Sequence, residues 1–398
     1  MSARALDGIR VVELADAWGE WCGKLLADMG AEVVKVEPPE GCASRRVGPF
    51  AGDVAGPERS LYFWRYNTGK RSVTLDLAAA GDREALRRLV AGADVLLESL
   101  PPGEAGALGI AYETASAANP RLVHAAVTAF GQTGPYVDAA YRANDLIIMA
   151  LGGPMQACGY DLEDADVAPV RAGPYHAYHT ASHFACIGIL TALLERETSG
   201  RGQFIDVSAQ AASAVTVEFS NTYWEYARQV TRRQTGRHAF PRQTARTQYM
   251  CTDGRAINLA IPFDGRAYGR LVRYLREQGL GEGLADDAPD DPLRRLAEGS
   301  IVLGALEVLA ARHSSEELFH IGQGMGFTWG AVRAPEDWLD DPHARARGFF
   351  VEIAHPELDR TVPYPGASFK STATQPRIDG RAPLLGEHNH EVLGNTPA

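Results

Sequence analysis

Residues 6–39, LDGIRVVELADAWGEWCGKLLADMGAEVVKVEPP, contain two apolar runs separated by one segment with helical spacing. The runs Ile9–Leu14 and Ala31–Val36 predict two buried strands. Between them, the spacing of Leu25 and Met29 supplies the apolar face of a helix. A strand, a helix and a second strand within about 30 residues form a βαβ unit, which places the two strands parallel with a right-handed crossover.

The same alternation of strand and helix continues outward from this unit to about residue 208. A repeated βαβ pattern predicts an α/β fold with a Rossmann-like, doubly wound sheet. The further strands are predicted at Val73–Leu77, Asp94–Glu98, Arg121–Thr128 and Phe204–Val207, and the helices at Asp82–Val90 and Ala181–Glu197. Gly200 is the expected C-cap of the long helix, and Ser208 the expected cap of a helix that follows the last strand.

The composition is that of an acidic globular protein. Of 398 residues, 45% are hydrophobic and 22% are charged, with a net charge of −11. This charge disfavours general binding to nucleic acid or to an anionic membrane surface, so we expect neither partner. The start lacks an apolar signal core, and the apolar run at 184–194 is shorter than a membrane span of about 20 residues.

The cysteines indicate a reducing compartment. There are five, widely and irregularly spaced, and no C-x-x-C pair occurs. An odd number of unpatterned cysteines is typical of free thiols, which predicts a cytoplasmic protein without a cysteine zinc site. We expect no metal.

The composition changes near residue 225. An arginine-rich segment at 228–246, expected to be a loop, is followed by a strand pattern at Ala256–Ile261 and two further helical patterns. This predicts a small α/β domain over 225–329. The large domain then comprises 1–224 and 330–398.

Several common catalytic motifs are absent. The sequence has no G-x-G-x-x-G fingerprint, no Walker A loop, no G-x-S-x-G elbow and no H-E-x-x-H pair. A Rossmann-like sheet without the glycine fingerprint does not predict a dinucleotide. The most frequent dehydrogenase, kinase, hydrolase and metalloprotease classes are therefore disfavoured.

Eight short segments, in this order and spacing, resemble the class III CoA-transferases, also called the CaiB/BaiF family. Each segment alone is weakly specific, but together they cover nearly the whole chain. They are LDGIRVVEL (6–14), LADMGAEVVKVEPP (26–39), NTGKRSVTLDL (67–77), ADVLLE (93–98), FGQTGPY (130–136), TSGRGQFIDVS (198–208), DPHARARG (341–348) and PLLGEH (383–388).

The resemblance implies a fold, a ligand and a reaction. The family fold has two α/β domains, and two subunits interlock like chain links. The ligand is coenzyme A, which such enzymes move from an acyl-CoA thioester to a second carboxylic acid. An aspartate before the long helix attacks the thioester to form a mixed anhydride, and CoA thiolate then converts it into an enzyme–CoA thioester.

CoA carries a 3′-phosphate and a diphosphate, so its site requires cations. Four basic residues are expected in loops after strands, where such sheets bind ligands. A fifth lies where the family often has a Lys or Arg facing the CoA phosphates. The candidates are Arg45, Arg46, Lys70, Arg71 and Arg142. They could equally be ordinary surface residues, and Ala107 stands where the family commonly has an arginine.

The family's catalytic aspartate is missing. No Asp or Glu occurs between Asp166 and Glu195, and the family position falls at Ala177 or Tyr178. The histidine of the racemase branch is also absent, since its position falls near Asn144.

Other ionisable side chains surround the vacant position. His176, Tyr178 and His179 could perform acid–base chemistry, or they could simply begin the helix. Asp145, at the start of a helix predicted over Asp145–Leu151, is either a relocated catalytic carboxylate or a first-turn acid.

Four functions remain open. The chain could be a CoA-transferase with an unusual site, as a homodimer. It could be the non-catalytic subunit of a heteromeric enzyme, such as a benzylsuccinate-type transferase, whose paralogous partner carries the aspartate. It could also be an acyl-CoA isomerase, racemase or lyase that uses His and Tyr. A protein that only senses acyl-CoA is a further alternative.

Overall fold

The computed structural model describes residues 3–161, 167–262, 264–285 and 292–394. The chain divides into two compact units. Unit 1 comprises 1–154, 171–218 and 342–398, and unit 2 comprises 155–170 and 219–341. The domain boundaries predicted at 225 and 330 remain predictions.

A six-stranded parallel sheet forms the centre of unit 1. Its order is β3-β2-β1-β4-β5-β6. The strands are β1 (Arg10–Leu14), β2 (Glu32–Glu37), β3 (Arg71–Thr74), β4 (Val95–Glu98), β5 (Val123–Thr128) and β6 (Phe204–Ser208). The strand order reverses between β1 and β4, which is the position where doubly wound sheets bind ligands. The predicted fold class is confirmed.

Helices follow these strands along the chain. Val12, Leu96 and Val123 are fully buried because helices cover the sheet, as parallel sheets require. The helices are α1 (Glu20–Asp28), α2 (Leu61–Asn67), α3 (Ala80–Ala91), α4 (Glu104–Ala107), α5 (Tyr112–Ala118), α6 (Pro135–Asp138), α7 (Asp145–Leu151), α8 (Pro154–Ala157), α9 (His176–Ser199) and α10 (Ala209–Ala214).

Among the predicted boundaries that differ in the structure are those of β3 and α9. The strand expected at Val73–Leu77 begins at Arg71, because Arg71 pairs with Val34 of β2. Its end comes earlier because Asp76 donates its backbone N–H to Asp82 and the chain turns into α3. The long helix α9 begins before the predicted Ala181. It ends as expected, with Gly200 in the left-handed conformation at φ 73°.

Helix α9 is the one described helix that is long and apolar enough to cross a membrane. This is weak evidence for a membrane span, since core helices pass the same test. Within unit 1, α9 packs against α1, α7, α10 and the strands β5 and β6.

Unit 2 has its own apolar core. Ile257, Leu271, Val302, Leu306 and Trp329 are almost completely buried in it. The arginine-rich segment expected to be a loop includes a hairpin of β7 and β8. The elements are α11 (Glu218–Ala227), β7 (Arg232–Gln234), β8 (Arg237–Phe240), β9 (Gln248–Met250), β10 (Ala256–Asn258), α12 (Gly265–Glu277), α13 (Pro292–Ala310), α14 (Ser315–Gly324) and β11 (Gly330–Ala331). Strands β9, β10 and β11 form an antiparallel sheet.

The C-terminal segment returns to unit 1 and covers the edge of the parallel sheet. It contains α15 (Pro342–Arg347), the antiparallel pair β12 (Phe350–His355) and β13 (Arg360–Pro365), and α16 (Asn389–Leu393). Edge strand β3 donates the N–H of Ser72 to Nδ1 of His388 at 3.2 Å, and the N–H of Thr74 to Oδ1 of Asn389 at 2.8 Å. These bonds satisfy backbone groups that an open edge would leave unpaired.

Candidate active site

A cleft of about 560 Å³ lies at the point where the strand order reverses. Its wall is formed by residues just after the carboxyl ends of β1, β4 and β5. They include Asp16, Trp18, Ser99 and Phe130, and Arg142, between α6 and α7, also lines the cleft. Loops at these strand ends form the crevice that binds ligands in doubly wound sheets. The cleft is therefore the candidate ligand site of unit 1.

Asp16 brings a carboxylate into this cleft. Its Oδ1 accepts hydrogen bonds from Ser99 Oγ at 2.8 Å and from the Trp18 N–H at 3.0 Å. Burial raises the pKa of Asp16, although the hydrogen bonds from Trp18 and Ser99 oppose the shift. Sequence reasoning missed this residue. The available signal was its position two residues after β1, because ligands bind beside the strand ends where the strand order reverses.

The start of α9 lies beside the cleft wall. Tyr178 packs edge-on against Trp18, with the ring centroids 4.4 Å apart, and burial raises the pKa of its hydroxyl. The preceding residue, Ala177, is completely buried. Position 178, one of the two predicted for the missing aspartate, therefore contacts a residue that lines the cleft.

Asp145 reaches the same helix from α7. Its Oδ1 accepts the backbone N–H of Ala177 at 2.8 Å, and its Oδ2 accepts a hydrogen bond from Arg171 at 2.7 Å. The residue before α9, Tyr175, has φ 69° and provides no side-chain cap. Asp145 therefore acts as the cap that satisfies an otherwise unpaired N–H at the start of α9. This role explains why α9 begins at His176.

His179, the fourth residue of α9, lies in a cluster of aromatic side chains. The Tyr66 hydroxyl and His179 Nε2 are 2.8 Å apart, and the Trp21 ring lies 5.0 Å from the imidazole. Trp21 also donates its Nε1–H to His183 Nε2 at 3.1 Å. Sequence reasoning identified His179, but Tyr66 and Trp21 come from helices far away in the chain.

The protonation of this cluster disfavours acid–base catalysis. Burial, with a contribution from His183, lowers the pKa of His179 to about 4. Burial raises the pKa of Tyr66 to about 12. A histidine that is neutral and a tyrosine that stays protonated are poorly matched to proton transfer near pH 7. His176, the first residue of α9, is exposed outside this cluster.

Comparison with known proteins identifies the family. The profile of CoA-transferase family III matches residues 6–389. The chain belongs to CoA-transferase family III. This confirms the predicted family and its enzyme class.

Individual family members are similar over their whole lengths. A CaiB/BaiF family protein from Brucella suis, 28% identical, superposes with a TM-score of 0.82 over 98% of both chains. The chain is 34% identical to the BbsE subunit of succinyl-CoA:(R)-benzylsuccinate CoA-transferase from Thauera aromatica, over 96% of this chain and 92% of that one. It is 33% identical to succinyl-CoA:mesaconate CoA-transferase from Haloarcula hispanica, over 98% and 96%.

The five cations predicted to bind CoA phosphates are not brought together. Arg142 is exposed and lines the switch-point cleft of this family III protein. Arg46 is also exposed, and it donates a hydrogen bond to the Gly41 carbonyl at 3.0 Å. Arg71 forms longer ion pairs with Glu32 and Glu391, at 3.3 and 3.5 Å.

Lys70 and Arg45 are buried within ion-pair networks. Lys70 Nζ lies 2.8 Å from Glu13 Oε2. Arg45 donates two hydrogen bonds to Glu37, at 2.7 and 2.9 Å, and one to Glu58 at 2.9 Å. These donors are used inside the chain, so the geometry favours a structural role for both residues.

The prediction that Lys70 and Arg71 follow a strand was wrong. Arg71 is the first residue of β3, so both residues lie at the amino end of the sheet. There they line a separate polar cleft with Arg381 and His388. Both residues precede even the predicted strand Val73–Leu77, so their expected place after a strand did not follow from the strand pattern itself. Among the described residues, no group of three or more His, Cys, Asp or Glu is arranged to hold a metal.

Proposed function

We propose that this chain is the CoA-thioester-binding subunit of a heteromeric CoA-transferase, whose paralogous partner supplies the nucleophilic aspartate. One observation carries the proposal. The start of α9 offers no carboxylate to the cleft, and both oxygens of Asp145 are already engaged, by Arg171 and by the Ala177 N–H. Thioester exchange of this kind needs a free carboxylate as the nucleophile.

The relatives support both the subunit assignment and the substrate class. One is named as a subunit of a benzylsuccinate enzyme, and another as the beta subunit of a succinyl-CoA–L-malate CoA-transferase. The named substrates of these and of the mesaconate and glutarate enzymes are dicarboxylic acids. We therefore propose succinyl-CoA as the CoA donor and a second dicarboxylic acid as the acceptor.

We propose that position 178 corresponds to the missing nucleophile. Tyr178 contacts Trp18 at the cleft wall. Ala177, by contrast, is buried, and its backbone N–H donates a hydrogen bond to Asp145. Arg142 is the cation best placed for a CoA phosphate, because it is exposed and lines the cleft.

The surface of unit 1 is consistent with a partner subunit. Helix α9 exposes Phe184, Ile187 and Leu194, and α7 exposes Leu146 and Leu151. Groups of exposed large apolar side chains are typical of protein interfaces. The interlocked dimer and the cytoplasmic location remain predictions.

The test is turnover of succinyl-CoA and benzylsuccinate, followed by mass spectrometry of product thioesters and of the protein. The chain is assayed alone and after co-expression with an aspartate-bearing paralogue encoded beside it. We expect activity only with the paralogue. Turnover by the lone chain would contradict the proposal, and the modified residue would identify the carboxylate used.

A gain-of-function variant tests the position of the missing nucleophile. Tyr178→Asp restores a carboxylate beside the cleft, and Tyr178→Asn is the matched control because it has the same shape without the charge. We expect a covalent enzyme–CoA adduct on the lone Tyr178→Asp protein after incubation with succinyl-CoA. The absence of an adduct, with succinyl-CoA binding intact, would argue against position 178.

Asp16 favours a second candidate function, a homomeric transferase with a relocated nucleophile. It is the carboxylate that lines the cleft, and its Oδ1 alone accepts the hydrogen bonds from Ser99 and Trp18. In this case the lone wild-type chain would turn over, and the adduct would map to Asp16. Asp16→Asn would abolish that adduct.

A further inference from the structure

Arg65 is a partly buried arginine of unit 1 with few polar partners among the described residues. It lies on α2, and its guanidinium is 5.2 Å from the centre of the Trp21 ring. Its Nη1 donates one hydrogen bond, to the Pro365 carbonyl at 2.9 Å. Burial lowers the pKa of Arg65, so the site desolvates this cation while giving its other N–H groups no hydrogen-bond acceptor within the described ranges.

No carboxylate in the described part of the chain lies within 4.0 Å of this guanidinium. The carboxylate of Asp28 exerts a weak attraction from a greater distance, but it is held by Lys24 at 2.6 Å. The buried Arg45 and Arg196, by contrast, have carboxylates at 2.7 and 3.0 Å. A desolvated cation without a counter-ion is costly, so an anion is expected to complete the site.

The position of Arg65 connects it to the start of α9. Trp21, on which its guanidinium lies, also packs against His179 at 5.0 Å. The neighbouring Tyr66 lies within hydrogen-bond distance of the same imidazole, at 2.8 Å. His179 follows Tyr178 directly in the chain. Arg65 therefore contacts Trp21, and Trp21 contacts His179, the residue after position 178 at the start of α9.

We propose that Arg65 binds the distal carboxylate of a dicarboxylic substrate, the one that is not joined to CoA, and so determines the preference for dicarboxylic over monocarboxylic acids. This inference rests on the proposed function. A guanidinium binds a carboxylate through two parallel N–H···O hydrogen bonds. The Trp21 ring lies 5.2 Å from the guanidinium, and the partial burial of Arg65 strengthens an ion pair formed there.

The geometry assigns no bond-forming step to Arg65. The distal carboxylate keeps its charge throughout the exchange, and the arginine only holds it. The residue therefore acts on specificity, and its loss is expected to affect substrates with a second carboxylate and to spare those without one.

The test compares two four-carbon thioesters that differ at one end. Succinyl-CoA ends in a carboxylate and butyryl-CoA ends in a methyl group. Their dissociation constants are measured by isothermal titration calorimetry with the full chain, in complex with its paralogue if it is isolated that way. We expect wild type to prefer succinyl-CoA about 10- to 100-fold, the range of a charge-assisted hydrogen-bonded pair.

Arg65→Gln is expected to remove this preference and leave butyryl-CoA binding unchanged. Arg65→Lys keeps the charge without the paired geometry and should retain part of the preference, which also provides a readout if the glutamine variant does not fold. Arg87→Gln is the matched control, because Arg87 is exposed on α3 and pairs with Glu84. It should behave as wild type.

The outcomes separate the two proposals. Equal binding of both thioesters by wild type, or a preference that survives in Arg65→Gln, would overturn the role of Arg65 and leave the proposed function standing. Failure of wild type to bind either thioester or free CoA would overturn the proposed function itself.

Discussion

Two groups of basic residues in unit 1 have opposite relations to their surroundings. At the β1–β2–β3 side of the sheet, Lys35, Lys70 and Arg45 are fully buried, and each contacts a buried glutamate within 3.0 Å. At the switch-point cleft and beside α9, Arg142 and Arg65 form no ion pair with the described residues. Charges that neutralise each other inside the chain stabilise the fold, whereas cations without a partner are available to a ligand.

The presence or absence of a buried counter-ion separates the structural cations from those available to a ligand. The five predicted CoA-binding residues look alike in the sequence, since each is a basic residue in a segment expected to be a loop. Their roles depend on partners that are distant in the chain, such as the Pro383 carbonyl that accepts a hydrogen bond from Arg45 at 3.0 Å. The contrast predicts that a substitution lowers the free energy of unfolding most where it breaks a buried ion pair. The loss should be smallest where the charged residue is exposed.

The largest effect is expected for Arg45→Met. It leaves Glu37 buried and without its main counter-ion, which should lower the free energy of unfolding by about 3–5 kcal/mol. Urea denaturation followed by circular dichroism measures this change. A loss below about 1 kcal/mol would show that Arg45 is not the structural cation that its contacts imply.

A double variant sharpens this result. Arg45→Met combined with Glu37→Gln removes both charges, so it should recover part of the stability lost in the single variant. If the double variant is as unstable as the sum of both single variants, the two side chains act independently.

The second effect is a pH dependence that arises from Glu37. Burial opposes its charged form, but the hydrogen bonds from Arg45 and the charge of Lys35 lower its pKa to about 2, from 4.5. Its folded-state pKa is lowered, so its contribution is complete above pH 4.5 and is lost as the pH falls towards 2. The complete loss amounts to about 3 kcal/mol, of which about 2 kcal/mol is expected by pH 3. Unfolding of wild type and Glu37→Gln at pH 6 and pH 3 checks it, and the variant should lose less stability.

Asp145→Ala should have an intermediate effect. It removes the cap of α9 and the partner of the half-buried Arg171, which should cost about 1–2 kcal/mol. Thermal unfolding measures the loss. Asp145→Asn is the control, because its amide oxygen can still accept the Ala177 N–H. Equal destabilisation by both variants would assign the effect to the charge instead of the cap.

The smallest effect on stability is expected for Arg142→Gln, within about 0.5 kcal/mol, because Arg142 is exposed. Its effect on ligand binding should be larger, with affinity for free CoA falling about 10-fold and the difference shrinking at high salt. Calorimetric titrations at two salt concentrations measure this. Unchanged CoA affinity would remove Arg142 from the proposed site.

The sequence was sufficient to predict the parallel sheet. The apolar runs at 9–14, 31–36 and 94–98 match β1, β2 and β4 within one residue, since buried strands of a parallel sheet are almost continuously apolar. Asp145–Leu151 and the Gly200 cap were also predicted correctly. These features depend on local periodicity and on cap chemistry, which a single sequence contains.

The arrangement of the candidate site was less predictable. Tyr66 and His179 are 113 residues apart, and their contact depends on how α2 packs near α9. The role of Asp145 as a cap depends on Ala177, 32 residues later. Asp16 was missed because its importance arises from the neighbouring loops after β4 and β5. Contacts of this kind result from packing, and no local pattern encodes them.

The bonds from the C-terminal segment to β3 have a consequence for synthesis on the ribosome. His388 and Asn389 are made 316 and 315 residues after the backbone groups that they cover. At roughly 5–20 residues per second, the edge of β3 waits for tens of seconds before its cover exists. During translation the nascent chain therefore carries an open sheet edge, and chaperones have that interval in which to protect it from pairing with another chain.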